Sequence, residues 1–400
     1  MKIGLIKEGK TPPDRRVALT PQQCVQLQNQ FKGLSIVVQP SKIRSISDQE
    51  YQEAGIILQE NLKDCDIILG VKEVPIKDLL QNKQHLFFSH THKFQPYNKA
   101  LLKACIQEKI QLIDYECLTW ENGRRILGFG RFAGLIGAYM SLKAWGIKTN
   151  SFELPLPQEC DNLADMLAQL KSRVSFTGPQ KIFISGRGRV ASGIREILTA
   201  LDIMEVNAEQ FIKQEFEKVV FCNLDTDQYY THKSRSFQWD HFLKNSKEYQ
   251  CQFTQFVAVS DMLITGHFYD ANWPVLIPKG AIDSMSKLKV IGDISCDING
   301  PIPTTIRPSK LDDPFYDVNI SSLKEIPAFS QNGLTVMAVD NLPGALPTDA
   351  SEDFGASIAE HIIPLLLQKE ENPIITRATI CKDGQLGKHF QYLQDWLKEK

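Results

Sequence analysis

Lys181–Ile182–Phe183–Ile184–Ser185–Gly186–Arg187–Gly188–Arg189–Val190–Ala191–Ser192–Gly193 decides the fold of this chain. A short apolar strand, Lys181–Ile184, runs into two closely spaced glycines, and a helical pattern follows as far as Leu201. That order is the entry to a dinucleotide-binding α/β unit. The first glycine permits the tight turn and the second lets the backbone approach a pyrophosphate. The helix N-terminus then offers free N–H groups to the anion. Gly193 makes the pattern a variant of GxGxxG rather than its strict form, and the same glycines also suit a plain tight turn. Gly186, Gly188, Arg189 and Val190 are the cofactor candidates of this turn. Arg187 and Arg189 read equally as phosphate partners or as solvated side chains. A ribose reader is expected about twenty residues on. Glu205 and Asn207, at the end of the expected strand Ile203–Val206, are the candidates. An acid there favours NAD, whereas an asparagine does not repel the 2′-phosphate of NADP, so the cofactor is NAD or NADP.

Outward toward the N-terminus, strand and helix alternate. Lys2–Ile6, Leu34–Val38, Ile67–Val71, Leu86–Phe88 and Ile110–Asp114 read as strands, and Pro21–Phe31, Asp48–Ala54 and Pro96–Gln107 as helices. Thr20 ahead of Pro21 is an N-cap followed by proline at the first helical position. Such alternation implies right-handed βαβ units and a parallel sheet, whose ligands bind at the carboxyl ends of its strands. Two of those ends run into Lys72–Glu73–Val74–Pro75 and Phe88–Ser89–His90–Thr91–His92–Lys93. An amine and an imidazole delivered there suit proton transfer on a small polar substrate. Glu116 follows the next strand, and Arg15–Arg16 and Arg124–Arg125 read either as carboxylate clamps or as solvated pairs. Taken singly, Lys72 reads as a solvated lysine, His90 as a core histidine, and His92 and Lys93 as loop surface. Gathered at one sheet edge, they fit a substrate with an amine and more than one carboxylate.

The chain has 400 residues, room for two domains. Its apolar fraction of 42% and charged fraction of 23% are those of a globular protein, and a net charge of −2 gives no case for nucleic acid or anionic membrane. No apolar run approaches the roughly 18–20 residues that span a bilayer. The N-terminal MKIGLIKEGK is too short and too charged for a signal peptide. Nine scattered cysteines without a CxxC pair argue for reduced thiols in a cytoplasm and against zinc or disulfides. A long helix is expected after Gly128, Gly130, Gly134 and Gly137, through Ala144. The polar, proline-bearing segment Thr149–Pro179 reads as lying outside either core, and Thr226–Gln252 as an irregular aromatic insertion. Strands resume near Val290–Asp293, and a helix over Ser351–Gln368 packs back onto the first domain.

These words, in this order, resemble the saccharopine dehydrogenase (lysine-forming) and lysine–ketoglutarate reductase family, within the alanine dehydrogenase-like superfamily. The resemblance is carried by Val37–Val–Gln–Pro–Ser, Ile68–Leu–Gly–Val–Lys, Phe87–Phe–Ser–His–Thr–His–Lys and Leu112–Ile–Asp–Tyr–Glu. It continues in Gly128–Phe–Gly–Arg–Phe–Ala–Gly, Gly292–Asp–Ile–Ser–Cys–Asp–Ile–Asn–Gly and Asp340–Asn–Leu–Pro–Gly–Ala–Leu–Pro–Thr–Asp–Ala–Ser. It is weakest over Ser151–Phe176 and Thr226–Gln252. The resemblance implies two Rossmann-type parallel-sheet α/β domains separated by an active-site cleft that closes on its substrates. Residues 1–135 plus 336–400 would form the substrate domain and residues 136–335 the dinucleotide domain. It also implies the chemistry. L-Lysine and 2-oxoglutarate condense to an imine, which a nicotinamide hydride reduces to saccharopine, reversibly; the sequence offers no metal site and leaves the state as monomer or homodimer. Lys72 would be the acid–base on the amine and His90 would handle the water and carbinolamine protons, with Glu73 and Glu116 tuning them. Arg16, Lys93 and Arg125, with Gln95 nearby, would bind substrate carboxylates. Asp297, Asn341 and Leu342 would border the nicotinamide ring. Asn207 departs from the family, whose members often carry an acid there. Alanine dehydrogenase or another amino-acid or imine dehydrogenase is the rival activity, and a non-catalytic nucleotide sensor the rival class.

Overall fold

The computed structural model describes residues 1–368 and 370–398. The chain divides into two compact units, Met1–Phe129 with Pro347–Lys400, and Gly130–Leu346. Both divisions differ from the boundaries expected at 135/136 and 335/336. The strand Leu334–Met337 belongs to the second sheet, and the helix beginning at Gly130 belongs whole to the second unit.

In the first unit, strands β1 (Lys2–Leu5), β2 (Ser35–Val38), β3 (Ile57–Leu58), β4 (Ile67–Leu69), β5 (Gln84–Phe87) and β6 (Gln111–Asp114) are parallel. Most of their residues are buried on both faces, which is why they read as unbroken apolar runs. Between them lie α1 (Pro21–Gln30), α2 (Asp48–Glu53) and α3 (Lys99–Gln107). Thr20 and Gln23 close a capping box on α1, as Ser47 and Glu50 do on α2.

The second unit opens with α4 (Gly130–Thr149) and α5 (Leu163–Arg173). Its strands are β7 (Lys181–Ser185), β8 (Met204–Glu205) and β9 (Val220–Leu224), the paired β10 (Tyr230–His232) and β11 (Tyr249–Cys251), then β12 (Met262–Thr265), β13 (Val290–Asp293), β14 (Phe315–Asn319), β15 (Lys324–Ile326) and β16 (Leu334–Met337). Helix α6 (Arg189–Ala200) follows β7. The tail returns to the first unit as a helix from Pro347, then β17 (Thr379–Lys382) and β18 (Gln385–Leu386).

Among the described residues each unit holds an eight-stranded sheet, ordered β18-β17-β6-β5-β4-β1-β2-β3 in the first and β15-β14-β16-β13-β12-β7-β9-β8 in the second. Neither is wholly parallel: β17 runs antiparallel to β6, and β14 antiparallel to β16 and β15.

Several elements differ from expectation. Gly130, Gly134 and Gly137 lie inside α4 rather than before it. A side chain at Gly134 would meet Val190 O, and one at Gly193 would meet Arg131 O, so these glycines let α4 and α6 pack backbone to backbone. Close approach overrides helix propensity there. The segment Thr149–Pro179 carries α5, capped by Asn162 and anchored by buried Met166 and Leu170. Thr226–Gln252 is ordered around the β10–β11 pair, with Tyr229, Tyr230, Phe242 and Tyr249 in the second unit's core. The tail helix continues through a π turn, Ile358–Ile362, just before Pro364. Proline lacks the N–H that an α turn would use and clashes with the carbonyl four residues back, so the turn widens. Phe354, Ile358 and Ile362 join the first unit's core, as expected of this helix. All nine cysteines are free thiols.

Candidate active site

The order β6-β5-β4-β1 puts the carboxyl ends of four neighbouring parallel strands side by side. They deliver Glu116, His90, Lys72 with Glu73, and Glu8, in that order. His90 Nδ1 lies 2.9 Å from Glu73 Oε1, and Lys10 Nζ donates to Glu73 Oε2 at 2.8 Å. Burial acts to raise the Glu73 pKa, but the hydrogen bonds from His90 and Lys10 outweigh it and bring it down to about 2. Glu73 is therefore an acceptor at any physiological pH. The Nδ1 contact then requires a proton on that nitrogen, which leaves Nε2 as the exchanging atom of His90.

Lys72 is held through its backbone. Its N–H donates to Glu8 Oε2 at 2.9 Å, and the Val71 N–H donates to Oε1 at 2.7 Å. Burial, then the nearby Arg16 charge, lowers the Lys72 pKa from its ordinary value. Glu8 itself is raised to about 7, because burial outweighs those two backbone donors. Reading the sequence missed Glu8: a lone glutamate in the charged run Lys7–Glu8–Gly9–Lys10 looks like surface, and only the β1–β4 pairing brings it under Lys72.

Asp114, at the end of β6, likewise looks in the sequence like no more than a strand end. It is fully buried. Its Oδ2 accepts from Ser89 N at 2.9 Å, Ser89 Oγ at 2.5 Å and His90 N at 3.0 Å, which fixes His90 in a left-handed conformation with φ 52°. Glu116 is clasped by Lys93 at 2.6 Å and by Arg125 at 2.6 Å, with His92 Nε2 at 3.5 Å. Arg16 is only 2% exposed, and its guanidinium closes on Asp14, Nε to Oδ1 at 3.0 Å and Nη2 to Oδ2 at 2.5 Å. The cations expected to hold carboxylates are thus present, but each is engaged with a carboxylate of the protein. Gln95 accepts from Tyr97 and Asn98 within its own turn. His92, Asp114 and Cys117 bring ligand-type atoms within 4.8 Å of one another. Burial keeps the Cys117 thiol protonated, and Asp114 is already saturated, so the trio is a poor metal set.

In the second unit the parallel strands β16, β13, β12 and β7 bring another set of loops to one edge. Gly186 has φ +90°, and a side chain there would strike Gly266 O at 2.5 Å, so only glycine serves. Gly188 caps α6, and a Cβ placed on it meets nothing within 4 Å. The open space above a helix N-terminus whose cap residue has no side chain fits a pyrophosphate, with Arg189 and Val190 as the first residues of the helix. Asp297 stands in the loop after β13, where partial burial of its carboxyl, then Asp293, raises its pKa. Asp293 is buried and accepts from Thr265 Oγ1 and Ser295 Oγ, both at 2.6 Å, pinning that loop. Gly137 of α4 leaves room for Ile294 and Leu342, so Asn341–Leu342 also reaches this edge. Glu205 and Asn207 do not. They flank the outermost position, β8, which β9 separates from β7.

A Rossmann-type unit carrying a glycine turn, in one chain with an α/β unit that gathers acid–base groups, has the build of a nicotinamide-dependent dehydrogenase. The chain belongs to the alanine dehydrogenase/PNT family: the N-terminal domain model matches residues 4–136 and the C-terminal domain model residues 166–389. It is 28% identical to an Arabidopsis thaliana alpha-aminoadipic semialdehyde synthase over 98% of this chain, but spans only 41% of that protein. Against the Yarrowia lipolytica saccharopine dehydrogenase [NAD(+), L-lysine-forming] it is 26% identical, covering 96% of this chain and 97% of the other. An L-alanine dehydrogenase structure superposes with a TM-score of 0.68 at 19% identity, covering 99% of this chain and 100% of that one, a likeness of fold. Among the described residues no helix is long and apolar enough to cross a membrane.

Ionised Glu73 gives a stability prediction. Its pKa falls from 4.5 to about 2 on folding, so its contribution is present above pH 4.5 and is lost as pH falls through 2. At about 1.36 kcal/mol per unit that is on the order of 3 kcal/mol. Glu73→Gln should therefore be less stable than the parent at pH 6 and converge on it toward pH 2. Denaturant unfolding across that range measures the difference, and parallel curves would refute the assignment.

Proposed function

We propose that this protein is a cytoplasmic NAD(P)-dependent oxidoreductase acting on CH–NH bonds that interconverts L-lysine plus 2-oxoglutarate with saccharopine. The observation that carries the reading is the Lys72–Glu73 pair at one strand end with Glu73 on His90 of the next strand at 2.9 Å. Lys72, its pKa lowered by burial, takes the proton that the substrate amine loses as it attacks the 2-oxo carbon and returns it to the oxygen, giving the neutral carbinolamine. His90, held at Nδ1 by Glu73, gives a proton from Nε2 to the departing hydroxyl of the carbinolamine, which leaves as water and the protonated imine remains. Bound nicotinamide would supply the hydride to that imine carbon. Lys93, Arg125 and Arg16 are the cations for the substrate carboxylates, which would take over places now filled by Glu116 and Asp14. The names of the fungal relatives support the substrate choice. Alanine dehydrogenase remains the alternative, favoured only by likeness of fold.

The test is oxidation of NADH and of NADPH at neutral pH with L-lysine plus 2-oxoglutarate, run beside pyruvate plus ammonia. Turnover with the first pair alone is expected. Turnover with the second alone would keep the scaffold and discard the substrate.

A further inference from the structure

We infer that Asp225, rather than Glu205 or Asn207, reads the ribose of the dinucleotide, and that it sets a preference for NAD over NADP. The inference rests on the dinucleotide-binding part of the proposed function and not on its substrates. A ribose reader must stand at the carboxyl end of the strand beside the glycine turn, because the ribose lies next to the pyrophosphate. In this sheet the strand beside β7 on that side is β9, although β8 comes first along the chain. With strands about 4.8 Å apart, β8 sits about 10 Å from β7.

The local bonding agrees. Gly186 N donates to Leu224 O at 2.6 Å, and Asn223 Nδ2 donates to Gly186 O at 2.6 Å, so the end of β9 is tied to the turn itself. Asp225 is the next residue. It is half-buried and caps the short helix Thr226–Tyr229, accepting from Thr226 N at 2.8 Å. Glu205 is instead paired with Arg195 at 2.5 Å, and Asn207 caps the helix Ala208–Lys213. Glu205 is thus paired on the edge strand, and Asn207 lies beyond it, with β9 between them and the glycine turn. A carboxylate at Asp225 accepts from vicinal ribose hydroxyls and repels a 2′-phosphate dianion.

The test is titration of the full chain with NADH and with NADPH, followed by cofactor fluorescence in the absence of amine or keto acid. Asp225→Asn keeps a capping residue while removing the charge. The parent should bind NADH more tightly than NADPH. Asp225→Asn should weaken NADH by about 10- to 100-fold, the loss expected for hydrogen bonds to a charged group, and shrink the preference to match. Glu205→Gln should leave both constants unchanged. Asp225→Ser, which also caps, serves should the asparagine variant fail to fold. A parent that prefers NADPH, an unchanged ratio in the Asp225 variants, or a shift carried by Glu205→Gln would each overturn the assignment. Tight NADH binding without lysine turnover would leave it standing and fail the substrate proposal alone.

Discussion

Lys72→Met is expected to lower turnover with L-lysine and 2-oxoglutarate by about 10²–10⁴-fold, the cost of losing an acid–base group. NADH affinity should stay as it was. The separation follows from the architecture: Lys72 follows β4 of the first unit, and the glycine turn belongs to the second. The backbone of Lys72 is pinned by Glu8, so methionine keeps the loop in place and removes only the amine. Steady-state rates beside a fluorescence titration of NADH make the comparison. Unchanged turnover would remove Lys72 from the mechanism.

The glycine that caps α6 and the one inside it should fail in opposite ways. Gly193→Ala forces a Cβ to within 2.1 Å of Arg131 O and 2.8 Å of Leu135 N, both backbone atoms of α4 that cannot swing aside. The expected loss is about 3 kcal/mol, the upper end of overpacking costs, read as a fall in the melting temperature. Gly188→Ala meets nothing within 4 Å and sits at φ −76°, so the fold should tolerate it. Its methyl group instead enters the space above the helix N-terminus, and NADH affinity should fall with little change in melting temperature. A stable Gly193→Ala, or a Gly188→Ala that binds NADH normally, would contradict this division of roles.

The parallel strands of the first unit are legible because they are continuous apolar runs, and the candidate proton-transfer residues because they follow two such runs directly. Strands β9 and β12 are hidden in the sequence: Val220–Leu224 emerges from the charged Glu215–Lys218 stretch, and Met262–Thr265 is set off from the apolar Phe256–Val259 only by Ser260–Asp261. The order of β8 and β9 is hidden too. Chain order suggests that the strand after α6 lies beside β7, but the two residues of β8 are both exposed, with nothing to bury next to β7. Arg16 was legible as a cation but not as one closed upon Asp14, since a bidentate pair two residues apart depends on a bend in the backbone. Glycine within α4 was read as a helix boundary from its propensity, which close packing against α6 overrides.

The return of the tail to the first sheet has a consequence for how the protein is made. The second unit is contiguous, so it can complete itself as soon as residue 346 has cleared the ribosome. The first unit cannot. Until Thr379–Lys382 emerges, β6 ends the sheet as a bare parallel edge, and the helix bearing Phe354 and Ile358 is missing from its core. The unit begun first is thus the unit finished last, and it waits through the whole translation of its neighbour with Asp114, the anchor of the His90 loop, on its open edge strand.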